Sequence, residues 1–159
     1  MMDRRTLLAG AGAAVAGGLL FGRSTDAAAA RFAVTKSPAQ WRRQLGPERY
    51  RILREAGTER AYTSPLDKER RRGRYACAGC ANPLFVSTTK FDSGTGWPSF
   101  YRALPKAVVT TSDRALGMAR TEVLCARCGG HLGHVFNDGP RPTGLRYCMN
   151  GLALRFQPA

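Results

Sequence analysis

The chain is short of acid, of histidine and of uninterrupted apolar sequence. Its 159 residues carry 11 Asp and Glu against 25 Lys and Arg, a formal charge of +14, and only two histidines. A bilayer span needs about 20 predominantly apolar residues. The nearest approach, Ala9 to Phe21, is broken by Gly10, Gly12, Gly17 and Gly18. A scarcity of acid suggests acidic partners such as nucleic acid or anionic lipid. Much of the basic excess, however, lies in Arg42-Arg43, Arg49 to Arg54 and Lys68 to Arg74, interleaved with Glu and lacking an aromatic platform for bases. It reads as solvated surface, with no nucleic-acid partner. There is no βαβ rhythm and no internal repeat beyond two cysteine pairs, which argues against parallel and repeat architectures.

Residues 1–30 read as a cleaved export signal: basic Arg4-Arg5, an apolar stretch, then Ala27-Ala28-Ala29-Ala30. Arg4-Arg5 followed by Thr6-Leu7-Leu8 resembles a twin-arginine signal, with Asp3 where Ser or Thr is usual. No cysteine is present there to take a lipid, so no stable membrane insertion is expected once the signal is gone. Residues 31–159 form the second unit, still at about +13 by its Lys, Arg, Asp and Glu content. That is one domain with a modest core, at a size where a structural metal helps. Export of a folded domain to the periplasm suits its thiols, which would load metal in the reducing cytoplasm. Nothing demands more than a monomer.

Ser37-Pro38-Ala39-Gln40 combines an N-cap, a first-turn proline and a capping-box glutamine, and predicts a helix to Leu45 that stops at Gly46. Pro47-Glu48 opens a second, with Tyr50, Leu53 and Ala56 on one face and Gly57 as its end. Residues 58–73 are polar and read as an exposed connector. Short runs of β alternation then follow: Arg74–Ala76, Leu84–Val86, Ala107–Ser112, Leu116–Leu124, Gly133–Phe136, Leu145–Met149 and Leu152–Phe156. The fold class is mainly β (α+β): an antiparallel β body with short helices at its N-terminal end.

Four of the five cysteines form two Cys-x-x-Cys pairs, Cys77/Cys80 and Cys125/Cys128. Two thiolates of one tight turn can grip one face of a tetrahedral ion, so the pairs together predict one closed, structural zinc site. Two redox disulfides are the competing reading. Cys148 is left over, either a small buried hydrophobe or a nucleophile. On a strand, Arg146, Cys148 and Asn150 share a face, and a nearby guanidinium lowers a thiol pKa. His131 and His134 lie close in sequence, but their i, i+3 spacing on a glycine-rich strand does not by periodicity put them on one face.

The run Phe91-Asp92-Ser93-Gly94-Thr95-Gly96-Trp97-Pro98-Ser99-Phe100, the two cysteine pairs, His131-Leu132-Gly133-His134-Val135-Phe136, Asp138-Gly139-Pro140 and Arg146-Tyr147-Cys148-Met149-Asn150-Gly151 resemble the type B peptide methionine-R-sulfoxide reductases, in order, from Ser37 to Phe156. The resemblance implies two antiparallel β-sheets and one structural zinc on Cys77, Cys80, Cys125 and Cys128. It also implies attack of the Cys148 thiolate on the sulfoxide sulfur, leaving a sulfenic acid. His131 and His134 would hold the oxygen and supply protons, and Asn150 would donate a hydrogen bond in the same pocket. Arg146 with Asp138 would orient the cysteine end, while Trp97 and Phe136 receive the substrate. Some members carry a resolving cysteine just before Gly96-Trp97; here Ser93-Gly94-Thr95 has none, so an external thioredoxin-like thiol is expected to reduce the sulfenic acid. The competing functions are a basic zinc-ribbon binding module and a thiol-disulfide oxidoreductase working through Cys77 and Cys80.

Overall fold

The computed structural model describes residues 32–114 and 119–159. The expected export signal, and residues 116–118 of the expected strand from Leu116, lie outside the described residues. Helix α1 (Pro38–Glu55) starts as its sequence dictates: Ser37 Oγ accepts the Gln40 N–H (3.3 Å), and Gln40 Oε1 accepts the Ser37 N–H (2.9 Å). The expected break at Gly46 is a kink, where Gly46 takes φ 70°, ψ 172° and Pro47, with no N–H to leave unpaired, restarts the helix. Trp41, Leu45, Ile52 and Leu53 are its buried face. Ala56, expected on that face, is instead exposed, because the helix ends at Glu55 and Ala56 turns left-handed (φ 49°) as its cap, leaving Ile52 and Leu53 as the buried residues of the second half. No helix among the described residues is long and apolar enough to cross a membrane.

Nine strands follow among the described residues: β1 (Gly73–Cys77), β2 (Pro83–Val86), β3 (Lys90–Phe91), β4 (Ser99–Phe100), β5 (Val108–Asp113), β6 (Arg120–Cys125), β7 (His131–Phe136), β8 (Arg146–Met149) and β9 (Leu154–Pro158). They form two antiparallel sheets, as the family resemblance implied, in the orders β2-β1-β9 and β3-β4-β8-β7-β6-β5. An aromatic seam joins them: Phe85 of β2 stacks on Phe100 of β4 at 4.3 Å, and Tyr75 of β1 meets Phe100 edge-on at 4.9 Å. Such pairs add roughly 0.5–1.5 kcal/mol each beyond the area they bury. Leu84, Leu132 and Met149 close the core around them.

Two expectations change. Strands β3 and β4, of two residues each, are too short for alternation to reveal. The connector is not simply exposed, because Glu59 is only 5% accessible. Its carboxylate accepts the backbone N–H groups of Gly151 and Leu152, capping a 3-10 turn (Gly151–Ala153) that delays β9 to Leu154.

Candidate active site and metal centre

Each cysteine pair sits where a strand ends in a turn. Cys77 ends β1 and Cys125 ends β6, and the turns close alike: Ala81 N–H donates to Cys77 O (2.9 Å) and Gly129 N–H to Cys125 O (2.8 Å). The four sulfurs lie within 4.8 Å of one another. Across the two turns, Cys77 Sγ is 3.7 Å from Cys128 Sγ and Cys80 Sγ is 3.6 Å from Cys125 Sγ. These separations far exceed a disulfide bond, about 2.05 Å, and match thiolates arranged round one ion. Asn82 Nδ2 reaches Cys125 Sγ at 3.6 Å and the Ala107 carbonyl at 3.1 Å, fixing that ligand from outside. The four-cysteine cluster fits a metal ion; all four positions are thiols and none is left for substrate, so any role of the ion is structural.

The second site lies in the larger sheet. Cys148 on β8 is flanked in register by Ser99 of β4 and His134 of β7. Directly opposed residues of an antiparallel pair share a face, so the thiol, the Ser99 hydroxyl and the His134 imidazole project together. Cys148 and His134 open on a cleft of about 130 Å³ that Trp97, Arg120, Phe136 and Asn150 also line, while Ser99 is fully buried.

A β-bulge brings in His131. Val123 pairs with Gly133 but Leu124 with His131, so Leu132 is an extra residue. That insertion converts an i, i+3 spacing, which alternation would split between faces, into a shared face: the two imidazole centroids are 5.5 Å apart. Gly133 is required where the bulge passes β8, since a Cβ there would stand 2.2 Å from the Cys148 carbonyl oxygen.

Each imidazole has a carboxylate that the sequence reading missed. His131 Nδ1 is 2.6 Å from Glu122 Oε1, and His134 Nε2 is 2.8 Å from Asp113 Oδ2, which also takes Arg120 at 2.7 Å. His131 Nε2 is buried without a hydrogen-bond partner. Burial pushes the His131 pKa down, and Glu122 opposes it. The signal for Glu122 was its position on β6, hydrogen-bonded to β7 in a hairpin; its register partner is His134, and its side chain reaches diagonally to His131, which the bulge sets opposite Leu124.

The remaining expected residues divide. Asn150 is buried in the cleft wall, its Oδ1 accepting the Glu59 N–H (2.9 Å) and its Nδ2 donating to the Leu132 carbonyl (3.2 Å); one amide hydrogen stays available. Trp97 Nε1 donates to the Glu59 carbonyl (3.1 Å), which locks the indole as a cleft wall. Arg146 forms a two-pronged pair with Asp138 at 2.8 Å and stacks on Phe136 at 4.4 Å. Asp138 thus bears on the cleft through Arg146. The reading that a flanking guanidinium makes Cys148 acidic is half met: burial pushes the thiol up, and Thr95, then Arg146, pull against it without prevailing.

A half-buried thiol beside two carboxylate-backed imidazoles, with a separate closed sulfur cluster, is an arrangement suited to an oxidoreductase. Residues 45–158 match the SelR domain. The chain is 57% identical over 127 residues to the peptide methionine sulfoxide reductase MsrB of Leptospira interrogans, spanning 79% of this chain and 97% of the relative. It is 60% identical over 124 residues to that of Thiobacillus denitrificans (77% and 94%) and 58% over 126 residues to that of Agrobacterium fabrum (79% and 93%). The chain belongs to this SelR (MsrB) family of methionine sulfoxide reductases.

Proposed function

We propose that the protein reduces methionine-R-sulfoxide, peptide-bound or free, and so repairs oxidised proteins. The observation that carries this reading is the convergence of Cys148, His134 and Trp97 on one small cleft, with the buried His131 ring 5.5 Å behind that of His134. The Cys148 sulfur attacks the sulfoxide sulfur; the S–O bond breaks, oxygen passes to Cys148 as a sulfenic acid, and the methionine sulfur gains two electrons. Oxygen leaves its carbon-bearing sulfur only when protonated, and the imidazoles supply that proton. Trp97 provides an apolar wall for the substrate methyl group while the imidazoles face the oxygen. With the peptide leading away in a third direction, only one epimer presents both groups correctly.

Two molecules of an external thiol, or one thioredoxin-like dithiol, return the sulfenic acid to thiol with release of water. Among the five cysteines, four belong to the cluster, so no internal partner remains. The ion is zinc: a tetrahedron with Zn–S of about 2.3 Å has S···S edges of about 3.8 Å, close to the 3.6 and 3.7 Å found between the two turns. The protein acts as a monomer, and export to the periplasm follows from Arg4-Arg5 and the apolar stretch after them.

The test is a single turnover without reductant. Reduced protein mixed with dabsylated R- or S-methionine sulfoxide should give about one equivalent of methionine from R alone, together with a trappable sulfenic acid, and none with Cys148→Ser. No methionine from either epimer would overturn the reading. For export, replacing Arg4 and Arg5 by Lys should abolish transport of the chain.

A further inference from the structure

The mechanism leaves unused a file of hydroxyls that ends on the nucleophile. Thr95 Oγ1 lies 3.8 Å from Cys148 Sγ, Ser93 Oγ lies 2.8 Å from Thr95 Oγ1 and 2.7 Å from Ser99 Oγ, and Ser99 Oγ donates to the Trp97 carbonyl at 3.1 Å. Ser99 is fully buried. The loop is held from outside as well: Tyr62 donates its hydroxyl to the Gly94 carbonyl (2.6 Å) and its N–H to the Gly96 carbonyl (2.7 Å).

Counting protons gives the file a direction. Along the file four links join five atoms, and a carbonyl can only accept; Ser99 and Arg146 add weaker direct pulls on the sulfur that also favour the thiolate. With Cys148 as a thiol there are four protons for four links, and all point one way: thiol to Thr95, Thr95 to Ser93, Ser93 to Ser99, Ser99 to the carbonyl. With a thiolate there are three. The strongest arrangement then runs backward, Thr95 donating to the anion, and leaves the Trp97 carbonyl without its Ser99 donor.

We infer that Ser93 and Ser99 are positioning residues of a reversible hydroxyl relay that, through Thr95, holds Cys148 as a thiol at rest and turns to donate to it once the thiolate forms. No O–H bond breaks; three hydroxyls rotate, and the thiol proton leaves to solvent or a base. The inference rests on Cys148 being the nucleophile. Charged and titratable groups facing it from the neighbouring elements are Arg146 with Asp138, His134 with Asp113, Arg120, and His131 with Glu122; all are unchanged in the variants below.

The test is the pH dependence of Cys148 alkylation by iodoacetamide, with the modified peptide quantified by mass spectrometry. Thr95→Val removes the donor to the anion and should raise the midpoint by about one pH unit, with Thr95→Ser restoring it. Ser93→Ala frees Thr95 from its competing acceptor and should lower the midpoint. Loosening of the loop would instead expose the thiol and lower it in both variants. Shifts of the same sign, or none, overturn the relay. Because the readout needs no sulfoxide, failure here leaves the reductase reading standing, and loss of the reductase reading would show in the single-turnover assay alone.

Discussion

His131 is held at one end only: its Nδ1 sits 2.6 Å from Glu122 Oε1, while its Nε2 is buried with no partner. The carboxylate fixes the proton on Nδ1 in the neutral ring and favours the imidazolium, whose second N–H then lies at Nε2. Burial works against that imidazolium and is the larger influence. Glu122 therefore keeps the acid form accessible.

Glu122→Gln should keep the hydrogen bond and lose the charge. With burial unopposed, the His131 pKa falls further, so the alkaline limb of the turnover profile moves to lower pH, by about one unit, and the rate at pH 7 drops about tenfold. The rate should recover toward the acid side. A uniform loss across pH would show Glu122 to act on folding rather than on the proton.

Burial of His131 also has a sign for stability. A folded-state pKa below the unfolded value of about 6.5 means that the unfolded chain binds more protons, so stability from this group is full above pH 6.5 and lost as pH falls through that window. Urea midpoints measured between about pH 7.5 and 5 should decline in the intact protein, and less in His131→Asn.

Much of this site was legible, for identifiable reasons. The Cys-x-x-Cys turns are local and announce themselves by spacing, and the capping box and Gly46-Pro47 kink are written in adjacent residues. The shared face of His131 and His134 depends on one inserted residue, Leu132, and no periodicity argument places a bulge. Glu122, Asp113 and Glu59 reach the site across 9, 21 and 92 residues of sequence, so their partners exist only once the sheets have formed. Burial of Cys148 was equally invisible, which is why its flanking arginine was given too much weight.

Gly133→Ala should be among the most damaging single changes. The new Cβ would stand 2.2 Å from the Cys148 carbonyl oxygen and 3.0 Å from Met149 Cα. Both are backbone atoms, so no rotamer can yield; β7 and β8 must separate, moving His134 from Cys148. Destabilisation of about 3 kcal/mol or more is expected, together with loss of activity out of proportion to the folded fraction. Denaturant unfolding and turnover of the folded protein separate the two effects.

Removing the metal ligands should affect fold before chemistry. Cys125→Ser removes a buried ligand, and elemental analysis should find less than one ion per chain, with a lower unfolding temperature. Cys148→Ser, outside the cluster, should retain a full ion and an unchanged melt. An unaltered metal content in Cys125→Ser would exclude the four-sulfur site.

Glu59 separates stability from positioning most cleanly. Its carboxylate holds the N–H groups of Gly151 and Leu152, its own N–H holds Asn150, and its carbonyl holds Trp97. Burial raises its pKa, against the pull of the two backbone donors. Glu59→Ala leaves two backbone donors unpaired and should lose about 3 kcal/mol, whereas Glu59→Gln, neutral and still an acceptor, should lose about 1 kcal/mol. If the backbone links to Asn150 and Trp97 survive in Glu59→Gln, its KM for the sulfoxide stays near that of the parent protein. In Glu59→Ala the freed turn lets the indole wall shift, and KM should rise several-fold with a smaller change in kcat. Equal falls in kcat for both variants would show that the carboxylate charge itself serves the chemistry, contrary to its placement behind the cleft wall.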